Sequence, residues 1–353
     1  MKILMRVLGI LIVGSSSIVF ESCYETHFQG CWDQKTDFNG YARSGAQSFV
    51  IDNKAYVGGG YSQFLLKRLN DFWVYDPQTD SWARIADFPG TARNGAFSFS
   101  NNGKGYVGCG QSDSITNNLM QDVWEYDPIV DKWRQLKNFA SVARNGMISF
   151  TIYNRSFVGG GYDGSNWFND FYEYHPTTDT WVQKPDIGGS KRTNAFAFVI
   201  DNFAYVGGGQ SYNIYSKDFY RFDVTKADGS SAPWSAMNSL NGVDRNGNKI
   251  AQPTPRQLAS TFTIRGYGYV IGGDYGAVLG DTWQYNPVND TWVEYDALKS
   301  EAAPRDAAVS FALAIPGYTQ GVQGYICTGN LYYTKFNDLW TFIPLGCTED
   351  NNM

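Results

Sequence analysis

Short apolar runs of strand length recur along the chain, separated by polar, turn-rich stretches. Residues 46–51 and 71–75 have the length and the aromatic or β-branched content of strands. The sequences DPQTD, DPIVD, HPTTD and NPVND read as Pro- and Asp-rich turns, each starting six residues ahead of a Trp. No long amphipathic helix is evident. The pattern therefore predicts an all-β protein built from hairpins.

The pattern repeats six times. Each unit opens on an Arg (Arg43, Arg93, Arg144, Arg192, Arg256, Arg305), followed by an apolar run. A glycine-rich run led by Tyr or Phe comes next, starting at Tyr56, Tyr106, Phe157, Tyr205, Tyr269 and Tyr325. An Asp then precedes an aromatic strand: Asp71, Asp122, Asp170, Asp218, Asp281 and Asp338. Five units add Trp82, Trp133, Trp181, Trp234 or Trp292. Successive units are 48–51 residues apart, except for the 64 between Arg192 and Arg256. One glycine pair would carry little weight; six copies in register mark a repeat architecture.

These motifs resemble those of the Kelch family over nearly all of residues 23–347. The resemblance implies a six-bladed β-propeller with four-stranded blades around a central axis. The repeated Arg is expected to serve blade-to-blade hydrogen bonding, and the repeated Asp to anchor turns and strand starts. Glycines of the second strand are expected to let neighbouring blades approach, with aromatic rings filling the space between blades.

The sixth unit lacks its Trp. Trp32, in FQGCWDQ ahead of the first Arg, supplies the missing feature. Residues 28–34 are therefore expected to form the outer strand of the last blade, so that both termini close the ring and no edge is left bare. In complete units the Trp usually lies eleven residues after the Asp. Cys347 lies nine after Asp338, and Cys31 falls at the equivalent of ten. The two would flank one hairpin, which predicts a Cys31–Cys347 disulfide. Cys109 and Cys327, in glycine-rich strands, are expected to be buried, inert thiols.

In such a blade the loops joining strands two and three share a face with the blade-to-blade connections. Here those loops vary (61–70, 111–121, 162–169, 210–217, 274–280, 330–337), while the hairpins of the other face are uniform. Variable loops on a rigid scaffold usually carry function. They contain Trp167, Tyr212, Tyr275, Tyr332 and Tyr333. Two rings of residues should open on this face. One follows the Arg residues: Ser44, Asn94, Asn145, Thr193, Gln257 and Asp306. The other follows the glycine runs: Tyr61, Gln111, Tyr162, Gln210, Asp274 and Asn330. Matching positions of ligand-binding Kelch domains contribute to the pocket, which the resemblance carries over to these twelve residues. Neutral polar groups with tyrosines suit a sugar or a peptide main chain.

Composition adds an address and removes some partners. A net charge of −6 argues against nucleic acid. Lys2 and Arg6 precede an apolar stretch over residues 7–20, and Phe20-Glu21-Ser22-Cys23 resembles a bacterial lipobox, although Glu21 departs from it. The expectation is a signal peptide over 1–22, acylation at Cys23, a propeller over 23–347 and a polar tail over 348–353. This places an exported monomer on the bacterial outer membrane or facing the periplasm, in contact with membrane only through its lipid.

Chemistry is weighed against this background. Galactose oxidase, a relative by resemblance, holds copper with two His and two Tyr. This chain has only His27 and His175, in places not expected to meet, so no metal or other cofactor is predicted. The bacterial sialic acid mutarotase is a second relative; by that resemblance Asp274 and Asp306 are the carboxylates to test, with Arg256 and Arg305 as anion contacts. Asp244, Asn246 and Asn248 have the alternate spacing of a calcium loop, but the glycine and later acid are misplaced, so a surface turn is expected. The reading that results is a recognition module for a glycan or a protein partner, with no assigned catalysis. The alternatives are a sugar epimerase or mutarotase and a structural envelope scaffold.

Overall fold

The computed structural model describes residues 30–344, apart from 117, 230–231, 241, 243–247, 299–301 and 316–320. Six four-stranded antiparallel sheets stand around one axis. The first comprises Gln47–Ile51, Lys54–Gly58, Phe72–Asp76 and Ser81–Arg84, in that order from the axis outward. The next three blades repeat this order from Phe97–Asn101, Ile148–Ile152 and Phe196–Ile200, and the fifth from Ser260–Ile264. Among the described residues the only helical element is a 3-10 turn, Val224–Lys226.

The last blade joins the two ends of the chain. Val309–Ala314, Val322–Cys327 and Leu339–Ile343 are completed by Cys31–Lys35, which pairs antiparallel with Leu339–Ile343. Trp32 lies opposite Phe342, just as Trp82 lies opposite Tyr75 in the first blade. Its indole is 1 % exposed and packs 5.0 Å from the Phe342 ring. The N-terminal strand thus fills the gap expected from the missing Trp. Cys109 and Cys327 are free, fully buried thiols, and burial pushes the Cys109 thiol up to about 12. Cys31 is not among the free thiols. Cys347, its expected partner, lies outside the described residues, as do Cys23, His27, Asp244 and Asn246.

The core lies between blades. Phe49, Tyr56 and Phe72 of the first blade form one cluster with Val107 and Tyr126 of the second. A second-strand glycine makes the approach possible: a Cβ on Gly105 would fall 2.1 Å from the Phe49 ring.

Each repeated Arg ties two blades together. In five blades its guanidinium binds the repeated Asp of its own blade through two nitrogens, as in Arg43–Asp71 (2.8 and 2.8 Å) and Arg256–Asp281 (2.6 and 2.7 Å); Arg192 reaches the Asp218 carboxylate through one (2.7 Å). It also donates to a carbonyl of its own blade's glycine-rich run, Gly59 O at 2.9 Å for Arg43. The Arg main chain belongs to the preceding blade: Gly60 N–H donates to Arg93 O at 2.8 Å, and Gly329 N–H closes the circle on Arg43 O at 2.9 Å. The bonding expected between blades is therefore made by the backbone, and the side chain anchors it. The Asp residues do stand at strand starts, but as the counterions of these guanidinium groups.

A second closed belt runs at the axis, through the residue two after each Arg. Gly45 N–H donates to Ala307 O, Ala307 to Leu258, Leu258 to Asn194, Asn194 to Gly146, Gly146 to Gly95 and Gly95 to Gly45, all at 2.8–3.0 Å. All six residues have φ between +48° and +64°, which glycine adopts freely and Leu258 and Ala307 adopt against their preference.

The guanidinium groups are 0–2 % exposed and their carboxylate partners 16–34 %, so removing one leaves a part-buried carboxylate without its counterion. Arg256→Met is expected to cost about 3–5 kcal/mol in chemical denaturation. Burial alone would raise the Asp71 and Asp122 carboxyls, but hydrogen bonds from Arg43 and Arg93 outweigh it and leave both below the ordinary value. Their contribution is then full above the unfolded carboxylate range, near pH 4, and is lost as pH falls through the lower folded values. Melting temperature measured against pH should fall on that acidic side.

Candidate functional site

The two rings expected from the sequence meet residue by residue. Ser44 pairs with Tyr61, Asn94 with Gln111, Asn145 with Tyr162, Thr193 with Gln210, Gln257 with Asp274, and Asp306 with Asn330. Two backbone hydrogen bonds of 2.9–3.1 Å hold each pair. The first ring is contiguous with the axial belt, because each member precedes a belt residue. The second ring opens the outer loops: Tyr61, Gln210 and Asn330 each start a two-residue ribbon, paired with Lys67–Arg68, Ile214–Tyr215 and Thr334–Lys335.

The fifth loop differs from expectation. In place of a loop over 274–280, the strands Tyr267–Asp274 and Val278–Asn286 run on as a hairpin, past a register shift between Ile271 and Gly273. Only residues 275–277 turn, with Gly276 at φ +77°. This stiff hairpin fixes Asp274 on a strand rather than in a loop.

The mouth divides into three chemical sectors. Across blades four to six lie the carboxylates. Asp274 Oδ1 accepts from Tyr215 Oη (2.6 Å) and Gln257 Nε2 (3.2 Å). Asp306 Oδ1 accepts from Asn330 Nδ2 at 2.7 Å, and Asn330 Oδ1 in turn accepts from Lys335. Burial raises the Asp306 carboxyl; the Asn330 bond opposes this, the negative charge of Asp274 reinforces it, and Lys335 opposes it. Burial also lowers the Lys335 ammonium, against the pull of Asp306. Blades three and four supply an aromatic wall: Trp167 stands 4.6 Å from Tyr162 and 4.2 Å from Tyr212, ring centre to ring centre. Across blades one and two, Arg68 donates to Asn94 Oδ1 at 2.7 Å, forms an ion pair with Asp113 and lies over the Tyr61 ring.

Sequence reasoning missed Arg68, Asp113, Tyr215 and Lys335. Each sits at an irregular place in a variable loop, where comparison between repeats offers no column to read. It also misjudged Arg256 and Arg305 as anion contacts. Both are at most 1 % exposed and are committed to Asp281 and Asp338, so neither reaches the mouth. His175 ends a third strand, 3.6 Å from Glu173. Among the described residues no group of three or more His, Cys, Asp or Glu could hold a metal ion.

The Kelch motif model matches residues 42–89 and 155–188, one stretch in the first blade and one in the third. Six blades in register and a ring closed by the N-terminal strand complete the picture. The chain is a six-bladed propeller that carries Kelch motifs. A solved structure titled "Structure of YjhT" superposes with a TM-score of 0.70 over 90 % of this chain and 98 % of that one, at 14 % identity. At that identity the likeness is one of fold. No curated protein sequence matches the chain.

Asp306 is a group of the mouth whose ionisation opposes folding. Because the Asp306 carboxyl is raised, the folded protein binds its proton more tightly than the unfolded chain, and stability is lost as pH rises through the folded value. Asp306→Asn keeps an acceptor for Asn330 and removes the buried charge. It is expected to melt higher than the parent near pH 7, with the gain vanishing at pH values below the ordinary carboxylate range, as scanning calorimetry at both pH values can check.

Proposed function

We propose that the chain is a recognition module that binds a glycan through its loop-rich face, without catalysis. The observation that supports this reading best is the aromatic wall of Tyr162, Trp167 and Tyr212 beside rings of neutral amides and hydroxyls. Ring faces pack against the apolar faces of a sugar, while Asn, Gln and Thr side chains exchange hydrogen bonds with its hydroxyls. The amides Gln111 and Asn145 are already bonded to each other across blades (3.2 Å), which holds them oriented before a ligand arrives. A protein ligand presenting polar main chain would use the same groups.

A second reading is a sugar epimerase or mutarotase. It draws support from Asp306, because a carboxyl that burial makes hold its proton more tightly suits acid–base work. The first reading is preferred because both mouth carboxylates, Asp274 and Asp306, are engaged as acceptors by Tyr215, Gln257 and Asn330. A structural envelope scaffold with an empty mouth is the outcome if nothing binds.

For the chain as a whole we propose export by the leader over residues 1–22, acylation at Cys23, and a Cys31–Cys347 disulfide that fastens the closing strand to the C-terminal end of its blade. Non-reducing mass spectrometry of the exported protein should find the two cysteines linked and a lipid on Cys23; free thiols at 31 and 347 would refute the latch.

Binding should follow the wall. On a glycan array, Trp167→Ala is expected to lower affinity for the bound glycan by roughly 10- to 100-fold, equivalent to about 1.4–2.8 kcal/mol. Its melting temperature should stay near the parent's. Turnover of a free sugar by the parent, abolished in Asp306→Asn, would favour the enzyme instead.

A further inference from the structure

The other end of the axis carries a second cluster of departures from the repeat. Eight residues after each Arg, at the end of the innermost strand, stand Ile51, Ile152, Ile200, Ile264 and Leu313. In the second blade that position is Asn101, only 3 % exposed. Its Nδ2 donates to Asn154 O and to Ser156 Oγ, both at 2.8 Å. Because a carbonyl only accepts, the bond to Asn154 O fixes which end of the amide is nitrogen. Asn101 Oδ1 is buried and has no hydrogen-bond partner among the described residues. An unmet buried acceptor costs about 1–3 kcal/mol, and an aliphatic side chain serves in five of six blades. The amide nitrogen serves the neighbouring blade, but the fold gives its oxygen no partner.

Two further departures converge on the same spot. Ser156, beneath the amide, shares a 2.9 Å hydrogen bond with Thr151 Oγ1, which donates to Ser100 O at 2.9 Å. Tyr153, in the turn of the neighbouring blade, is 70 % exposed yet held at φ +47°, a conformation that a bulky side chain adopts under strain. Asn101, Tyr153, Thr151, Asn154 and Asp52 all line one cavity of about 380 Å³ on the short-hairpin face. That cavity shares Val50, Ser100 and Thr151 with the axial channel of about 410 Å³. The ring amides, Trp167 and the mouth carboxylates lie at the opposite end of the innermost strands.

We propose that this cavity is a second binding site, for a small hydroxyl-rich ligand of the saccharide class. A ligand hydroxyl donates to Asn101 Oδ1 and meets the acceptor left unmatched. Others are within the class of partners that the Asp52 carboxylate and the Asn154 and Thr151 side chains accept, and the exposed Tyr153 ring offers a stacking face. The site is independent of the loop-rich face and stands or falls separately.

The test titrates the full chain with glucose, galactose, mannose and N-acetylglucosamine, followed by saturation-transfer NMR and calorimetry. At least one sugar should bind the parent and Trp167→Ala alike. Asn101→Ile, which restores the residue of the other blades, should weaken that binding at least about tenfold while melting at or above the parent temperature. Tyr153→Gly, which relieves the turn, should also weaken binding without loss of stability, and it serves if Asn101→Ile fails to fold. The proposal is overturned if none of the four sugars binds, or if binding survives both substitutions. It is likewise overturned if binding is lost only in Trp167→Ala, a result that would support the loop-rich face as the site.

Discussion

The structure depends on a buried guanidinium held by two oxygens of one carboxylate. Six times, an Arg whose main chain is hydrogen-bonded to one blade sends its side chain to the Asp that starts the third strand of the next; five grip both carboxylate oxygens, and Arg192 grips one together with the Asp218 main-chain carbonyl. A buried ion pair is a poor source of net stability, because desolvation offsets most of the attraction. Its value here is geometric. The planar fork accepts one orientation, and the same guanidinium also meets a carbonyl of the glycine-rich run. The pitch between blades is therefore fixed six times by the same device, and hydrophobic packing between blades fills the shape it defines.

Much of this was legible in the chain because repetition exposes it. The Arg, glycine and Asp columns gave the blade number, the missing Trp gave the closing strand, and both polar rings fell where the columns placed them. The Arg–Asp pairing itself was not read, since 25–33 residues separate the partners and nothing in the spacing says that they touch. What repetition could not show is what departs from it. Arg68, Tyr215 and Lys335 sit in loops with no common register, and the hairpin after Asp274 extends where a loop was expected. Asn101 was readable in principle, being the single polar residue in a column of Ile and Leu, but that column carries no conspicuous motif.

The two ends of the axis are built on different logics. At the loop-rich end, polar groups are mostly satisfied by one another before any ligand arrives: Asn145 by Gln111, Asp306 by Asn330, Asp274 by Tyr215. Such a surface loses little by being empty and orders little on binding. At the hairpin end one acceptor, Asn101 Oδ1, is left unmet, so the empty state is the costlier one. Between them the channel is walled by small hydroxyl residues whose side chains serve the neighbouring blade, as Ser98 Oγ donates to Ser48 O at 2.8 Å and Ser149 Oγ to Ser98 O at 2.8 Å.

The belt of six N–H to carbonyl bonds around the axis has no end, but the polypeptide does. All six junctions between neighbouring blades are crossed by continuous chain, residues 36–46 linking the sixth blade to the first; the break lies inside the sixth blade, where continuity rests on the antiparallel pairing of Cys31–Lys35 with Leu339–Ile343. A pull on the N-terminal side of residue 31 therefore loads that one strand before any other part of the ring. Under tension the propeller would behave as a buckled belt, only as strong as its clasp, with Trp32 as the pin.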